Sequence, residues 1–143
     1  YTTMHYGEFI STFLIDLQRL FRSEILIKNI TYSQVLATIS IPVDGIEMSE
    51  LARKLGLDNS TVTRLIVRLE KKGWVYREKS RRDKRAIIVV LNNKGLKIQQ
   101  EIEKKIESIG EKVKIEIDDE KRESILEYLY AFQWGLRKTF LKK

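Results

Sequence analysis

The stretch MSELARKLGLDNSTVTRLIVRLEKKGW, Met48 to Trp74, constrains the fold more than any other part of this chain. Leu51, Ala52 and Leu55 recur at the spacing of one helical face, and Val62, Leu65, Ile66 and Leu69 recur the same way on a second. Gly56 lies between them, where a positive φ lets the chain turn, and Asp58 is placed to cap the second helix. Leu57 is expected to plug the corner, and Ala52 is small where the helices must approach closely. The pattern predicts a helix-turn-helix. Helix pairs joined by glycine also occur where no nucleic acid binds, so the outward face of the second helix decides its use. That face carries Asn59, Ser60, Thr61, Thr63, Arg64 and Arg68, with no acid between Asp58 and Glu70. Short hydrogen-bonding side chains followed by cations suit base edges and phosphates when the first turns of a helix enter the major groove.

Lys72-Gly73 ends the second helix. Trp74-Val75-Tyr76 then begins a strand, Ser80 to Lys84 make a polar turn, and Ala86 to Leu91 form a second strand rich in Ile and Val. A hairpin beside a helix-turn-helix is a wing. Its tip, Arg81, Arg82, Asp83, Lys84 and Arg85, lies where it can touch a duplex next to the groove that the helix enters. Arginine suits the narrow minor groove, which concentrates negative potential. Asp83 would oppose phosphate unless it orients Arg85 through a charge-assisted fork, which is the expected arrangement.

The charge of the chain sits in this region. Between Arg64 and Arg85 there are ten basic and three acidic residues, a local excess equal to the net charge of +7 for all 143 residues. Basic and acidic groups cancel elsewhere, so the field is concentrated where a polyanion would dock.

Several function classes are excluded. With no cysteine there are no disulfides, thiolate metal sites or cysteine nucleophiles. His5 is alone, expected as a surface residue, and no glycine cluster or Ser, Asp or Lys grouping has catalytic or cofactor-binding spacing. The chain is thus expected to be neither an enzyme nor a cofactor carrier. Asp118-Asp119-Glu120 reads as helix-start electrostatics rather than a metal site. Ala86 to Leu91, the longest apolar run, is far too short to span a bilayer, and no signal peptide is visible, so no membrane is expected as partner and the cytoplasm is the expected compartment. An opening at Tyr1 rather than Met is expected of a sequence lacking a few leading residues.

Helices flank the winged segment. Ile10, Phe13, Leu14, Leu17, Leu20 and Phe21 put one stripe on a helix over residues 8–21. Thr31 is placed to cap a second helix with Val35, Leu36 and Ile39 inward, stopped by Pro42 and Asp44-Gly45. After the wing, Ile98, Ile102, Ile106, Ile109, Val113 and Ile117 form a seam along a long helix starting near Asn93, and Ile125, Leu129, Phe132, Leu136 and Phe140 form another. Helices this long beside a small wing call for a partner surface, which a second copy of the chain would supply; one chain forming its own bundle is the alternative. The expected class is mainly α with a small β-hairpin wing (α+β), residues 31–92 forming the winged helix-turn-helix and residues 1–30 and 93–143 the helical dimerisation region.

At this point the residues resemble a known family. SELARKLGLDNSTVTRLIVRLEKKGWVYRE, Ser49 to Glu78, followed by RRDKRAIIVVLNNKG, Arg82 to Gly95, is similar to the winged helix of MarR-type transcriptional regulators, named for multiple antibiotic resistance. The sharpest element is Asp83-Lys84-Arg85 at the family's distance from Leu91-Asn92 and Gly95, with Asn92 standing where Thr is usual; both residues cap helices. The resemblance implies a homodimer on a palindromic operator in double-stranded DNA, Arg85 in the minor groove, and Ser60, Thr61 and Arg64 near bases. It also implies release by a small aromatic or phenolic ligand bound between the dimer and DNA-binding lobes. Tyr6, Phe9, Phe13, Tyr32 and Tyr128 could line such a pocket, though aromatic residues at helical spacing are more often plain core. The competing use of a winged helix is as a protein-interaction or RNA-binding module of a transcription or replication complex. A repressor should lose affinity steeply with salt through counterion release; such a module should not.

Overall fold

The computed structural model describes residues 5–25, 27 and 29–142; Tyr1, where the chain opens, lies outside them. The elements run α1 (Tyr6–Glu24), α2 (Tyr32–Ile39), β1 (Ile46–Glu47), α3 (Met48–Leu55), α4 (Asn59–Lys71), β2 (Val75–Lys79), β3 (Ile87–Leu91), α5 (Asn93–Ile115), a 3₁₀ turn (Asp119–Lys121) and α6 (Arg122–Phe140). The mainly helical class with a small wing holds. The chain divides into two compact units, Tyr1–Lys105 and Ile106–Lys143.

In the first unit, every helix except α3 begins where a side chain accepts an unpaired N–H. Thr31 and Gln34 form a reciprocal capping box at the start of α2. His5 is exposed, as expected, yet its Nδ1 accepts the Glu8 N–H at 3.3 Å and so caps α1, a role the sequence did not disclose. Gly56 ends α3 at φ 68°, ψ 31°, the left-handed conformation the turn demanded.

The sheet has three strands in the order β1-β3-β2, all antiparallel, with Ile46 opposite Val89 and Val75 opposite Leu91. Only the hairpin was expected. The two-residue β1 leaves no periodic trace and exists because β3 has a second edge to satisfy. The core lies where the sheet's inner face meets α2, α3 and α4: Ala37, Leu51, Val62, Ile66, Leu69 and Val89 are all fully buried. Gln99 of α5 enters this region, its Nε2 donating to the carbonyls of Thr38 (2.9 Å) and Ile41 (2.8 Å), which satisfies the end of α2. Leu57 does not plug the corner; it is 38 % exposed, and only its N–H turns inward, to the Ala52 carbonyl. Leu51 and Ala52, from the preceding helix, are the buried apolar residues next to the turn.

In the second unit, the seam on α5 stops with the helix at Ile115, so Ile117 lies beyond it and Val113 is exposed. Arg122 closes the corner. Its Nε donates to the Lys114 and Ile117 carbonyls at 2.9 Å, and its guanidinium pairs with Asp119. The acidic triplet sits at the entry to α6, where carboxylates favour a helix start. No described helix is long and apolar enough to cross a membrane.

Candidate nucleic-acid interface

Helix α4 divides its sides by burial. Val62, Leu65, Ile66 and Leu69 are buried against the core, while Asn59, Ser60, Thr63, Arg64 and Arg68 are exposed and Thr61 is half-buried. At about 100° per residue, Ser60 and Arg64 point directly away from the core, with Thr63 beside them. The sequence-predicted contact residues of the helix are therefore brought together on one solvent-facing surface.

Its first turn is fixed by Asp58. Oδ1 accepts the Thr61 N–H at 2.7 Å and the Ser60 hydroxyl at 2.8 Å. The N–H of Thr61 above all, then the Ser60 and Thr61 side chains and the Arg64 charge, holds the carboxyl down at about 2 from an ordinary 3.8. Asp58 is thus ionised throughout the neutral range, and its charge is directed into the helix end. Arg64 Nη2 lies 3.4 Å from the Thr61 hydroxyl, a contact that tethers the guanidinium loosely over the same turn.

The wing tip is held by its main chain. The Ser80 hydroxyl, buried, accepts the N–H groups of Arg82 (3.2 Å) and Asp83 (3.4 Å), and Ser80 N–H donates to the Ala86 carbonyl at 3.0 Å. Asp83 contacts Arg85, but not by the expected fork: its carboxylate accepts the Arg85 backbone N–H at 3.0 Å. The geometry explains the change. A carboxylate two residues before an N–H in a tight turn makes an Asx-type bond that needs no side-chain ordering, and the guanidinium is left pointing outward. Arg81, Arg82, Lys84 and Arg85 are all exposed, and among the described residues none forms an ion pair with a carboxylate.

Two of the ten cations are occupied otherwise. Arg77 pairs with Glu70 at 3.1 Å, tying β2 to the end of α4. Lys72 Nζ donates to the Asn29 carbonyl and lies 5.2 Å from the centre of the Trp74 ring, so it fastens the α1–α2 connection beneath the helix. Sequence reasoning counted both as part of a general field and missed Ser80 as the anchor of the tip. A serine opening a charged turn was the available signal.

Beyond the wing, Asn92 caps α5 by accepting the Gly95 N–H at 2.9 Å, so asparagine serves where threonine is usual. Gly95 lies flush on the strand: a Cβ there would come within 2.0 Å of the Trp74 carbonyl oxygen. This close approach fixes where α5 leaves the wing.

A family model described as "MarR family" matches residues 42–87, the span from the turn before β1 to the start of β3. The HTH-type transcriptional regulator TtmR of Methylorubrum extorquens is 29% identical over 116 residues, 80% of this chain and 58% of that protein. The HTH-type transcriptional regulator SarZ of Staphylococcus saprophyticus is 31% identical over 92 residues, 64% of this chain and 63% of its own. The match thus covers less than two thirds of either curated relative's length. Among solved structures, wild-type apo MarR from Escherichia coli superposes with a TM-score of 0.76 at 25% identity, covering 98% of this chain and 99% of that one. A Staphylococcus aureus MepR–DNA complex shares the fold, with a TM-score of 0.74 at 18% identity over 93% of this chain and 99% of that one. Residues 42–87 thus match the MarR family model, and the chain as a whole shares the fold of MarR.

Proposed function

We propose that this protein is a sequence-specific, double-stranded-DNA-binding transcriptional regulator that occupies a palindromic operator as a homodimer in the cytoplasm. The carrying observation is the acid-free, solvent-facing surface of α4 beside an exposed basic wing tip. In this reading the winged helix of residues 31–92 presents α4 to the major groove and Arg85 to the minor groove, with Arg82 and Lys84 on the flanking backbone. The existence of a MepR–DNA complex on the same fold supports it.

The helical regions, residues 1–30 and 93–143, pair two copies. Neither α1 nor α6 buries a single residue within one chain, yet α1 exposes Phe13, Leu14 and Ile15, and α6 exposes Leu126, Leu129, Tyr130 and Trp134. On α6, Ile125, Leu129 and Leu136 occupy one face while Leu126, Tyr130 and Trp134 occupy another, roughly 120° around the helix, so cover from more than one side would be needed. A second copy supplies such cover and gives two recognition helices for two half-sites.

An effector fits the same reading. A cleft of about 210 Å³ between the end of α1 and the start of α2 is walled by Phe21, Arg22, Ile25, Ile30, Tyr32 and Val35. Arg22 lies 4.8 Å above the Tyr32 ring, and Phe21 meets that ring edge-on. An aromatic wall with one guanidinium suits a small aromatic or phenolic anion. Of the aromatic candidates only Tyr32 lines this cleft; Tyr6 and Tyr128 are largely exposed, and Phe9 stacks on Phe13.

The test is selection of duplexes from a random pool by the purified protein, followed by titration across a salt series. Recovery of an inverted repeat whose affinity falls steeply with salt is expected. Salt-insensitive or repeat-free binding would instead indicate a protein- or RNA-binding module.

A further inference from the structure

Two of the three hydroxyl groups on α4, those of Ser60 and Thr63, are committed in one direction, and this limits which bases they can read. Ser60 Oγ donates to the Asp58 carboxylate at 2.8 Å, and Thr63 Oγ1 donates to the Asn59 carbonyl at 2.8 Å. A hydroxyl has one proton and two lone pairs, so each presents only acceptor capacity to an approaching base. The Ser60 bond is charge-assisted, hence roughly twice as strong as a neutral one, and turning its proton outward would leave a carboxylate partly unsatisfied. Arg64, on the same outward strip, has donors alone.

Base edges in the major groove divide along the same line. Adenine N6 and cytosine N4 carry amino donors, guanine O6 and N7 and thymine O4 are acceptors, and thymine alone adds a methyl group. We infer that Ser60 and Thr63 are acceptor-only specificity determinants that select amino-bearing bases, adenine or cytosine opposite Ser60 and an A·T pair opposite Thr63. The Thr63 preference is narrower because threonine adds a methyl group to its acceptor, and an A·T pair alone presents an amino group together with a methyl. Asp58 is the positioning residue that sets this polarity without touching the base. The inference rests on the DNA-binding reading above and adds to it the chemistry of the half-site.

The experiment uses the full chain and the operator recovered by selection. Each adenine or cytosine of a half-site is replaced in turn by purine or pyrimidin-2-one, which lack only the amino group. Affinity is then measured for the parent, Ser60→Ala, Thr63→Val and Asp58→Ser. One such replacement should weaken the parent about fivefold, the worth of a single hydrogen bond, and should weaken Ser60→Ala no further. A second position should show the same non-additivity with Thr63→Val, which keeps the branched shape and loses the acceptor. Asp58→Ser retains a capping residue but releases the Ser60 proton, so guanine or thymine should become tolerated at the Ser60 position alone. Coupling of Ser60 or Thr63 to guanine or thymine acceptors, or to no base, overturns the inference while leaving the regulator reading intact. Failure of the parent to select any duplex overturns both.

Discussion

Helices α4 and α6 spend their apolar side chains in opposite ways. Along 13 residues α4 buries four, Val62, Leu65, Ile66 and Leu69, against its own chain. Along 19 residues α6 buries none, although it carries Ile125, Leu126, Leu129, Phe132, Trp134 and Leu136. The first helix has its packing completed by one copy, so its remaining surface is available for recognition. The second leaves its apolar side chains exposed in one copy, which is what the proposed dimer would cover. The proposed recognition surface and the proposed assembly surface thus differ in which apolar groups a single chain has already covered.

The sharpest break of this contrast is at Ile66. Replacing this fully buried residue by alanine should cost about 2–5 kcal/mol in chemical denaturation, because a cavity opens between α4 and the sheet. Leu129→Ala on α6 should leave the denaturation of an already dissociated chain nearly unchanged and instead weaken dimer association by about 1.5–3 kcal/mol per copy, read by sedimentation equilibrium. Equal effects of both substitutions on the monomer would erase the distinction. An unaltered association constant for Leu129→Ala would remove that face of α6 from the dimer.

The α3–Gly56–α4 segment and the paired strands of the wing were legible in the sequence because their signals are local: helical spacing, a positive-φ glycine, a capping aspartate and a β-branched run. The missed features depend on partners far along the chain. Strand β1 exists through its pairing with β3, and Lys72 is occupied by a carbonyl 43 positions away. Arg77 is neutralised by Glu70 across two elements. Leu57 illustrates a different failure: hydrophobicity suggested a plug, but at this turn the backbone N–H is what turns inward, to the Ala52 carbonyl, and the side chain stays exposed. For the candidate site, residue types and exposure were legible. Hydrogen-bond direction was not, since a hydroxyl's composition is the same whether it donates or accepts, and only the positions of Asp58 and Asn59 decide it.

Arg85→Ala tests the recognition side alone. Its guanidinium is outward and its backbone N–H, which alanine retains, is what Asp83 holds, so the tip conformation should survive. Operator affinity should fall by about 1–3 kcal/mol with denaturation and dimer association unchanged. Operator binding as tight as the parent's would take the wing out of the interface.

The smallest effect is expected at Asp58, and it is separable by pH. The folded carboxyl titrates at about 2, below its ordinary 3.8, chiefly because it accepts the Thr61 N–H. A depressed acid contributes stability that is fully present above the ordinary value, since there the charged cap is favoured in the fold and indifferent in the unfolded chain. That contribution declines as pH falls from about 4 and is gone once the folded carboxyl is protonated near 2. Asp58→Ala should therefore lower stability by a constant small amount from neutral pH down to about 4, and the parent and variant curves should converge between there and 2. Other carboxylates steepen both curves alike, so the difference between the two is the quantity to follow by denaturation at successive pH values. A difference that persisted undiminished at pH 2 would mean that Asp58 acts through its shape rather than its charge, and the directional commitment of Ser60 would lose its electrostatic basis.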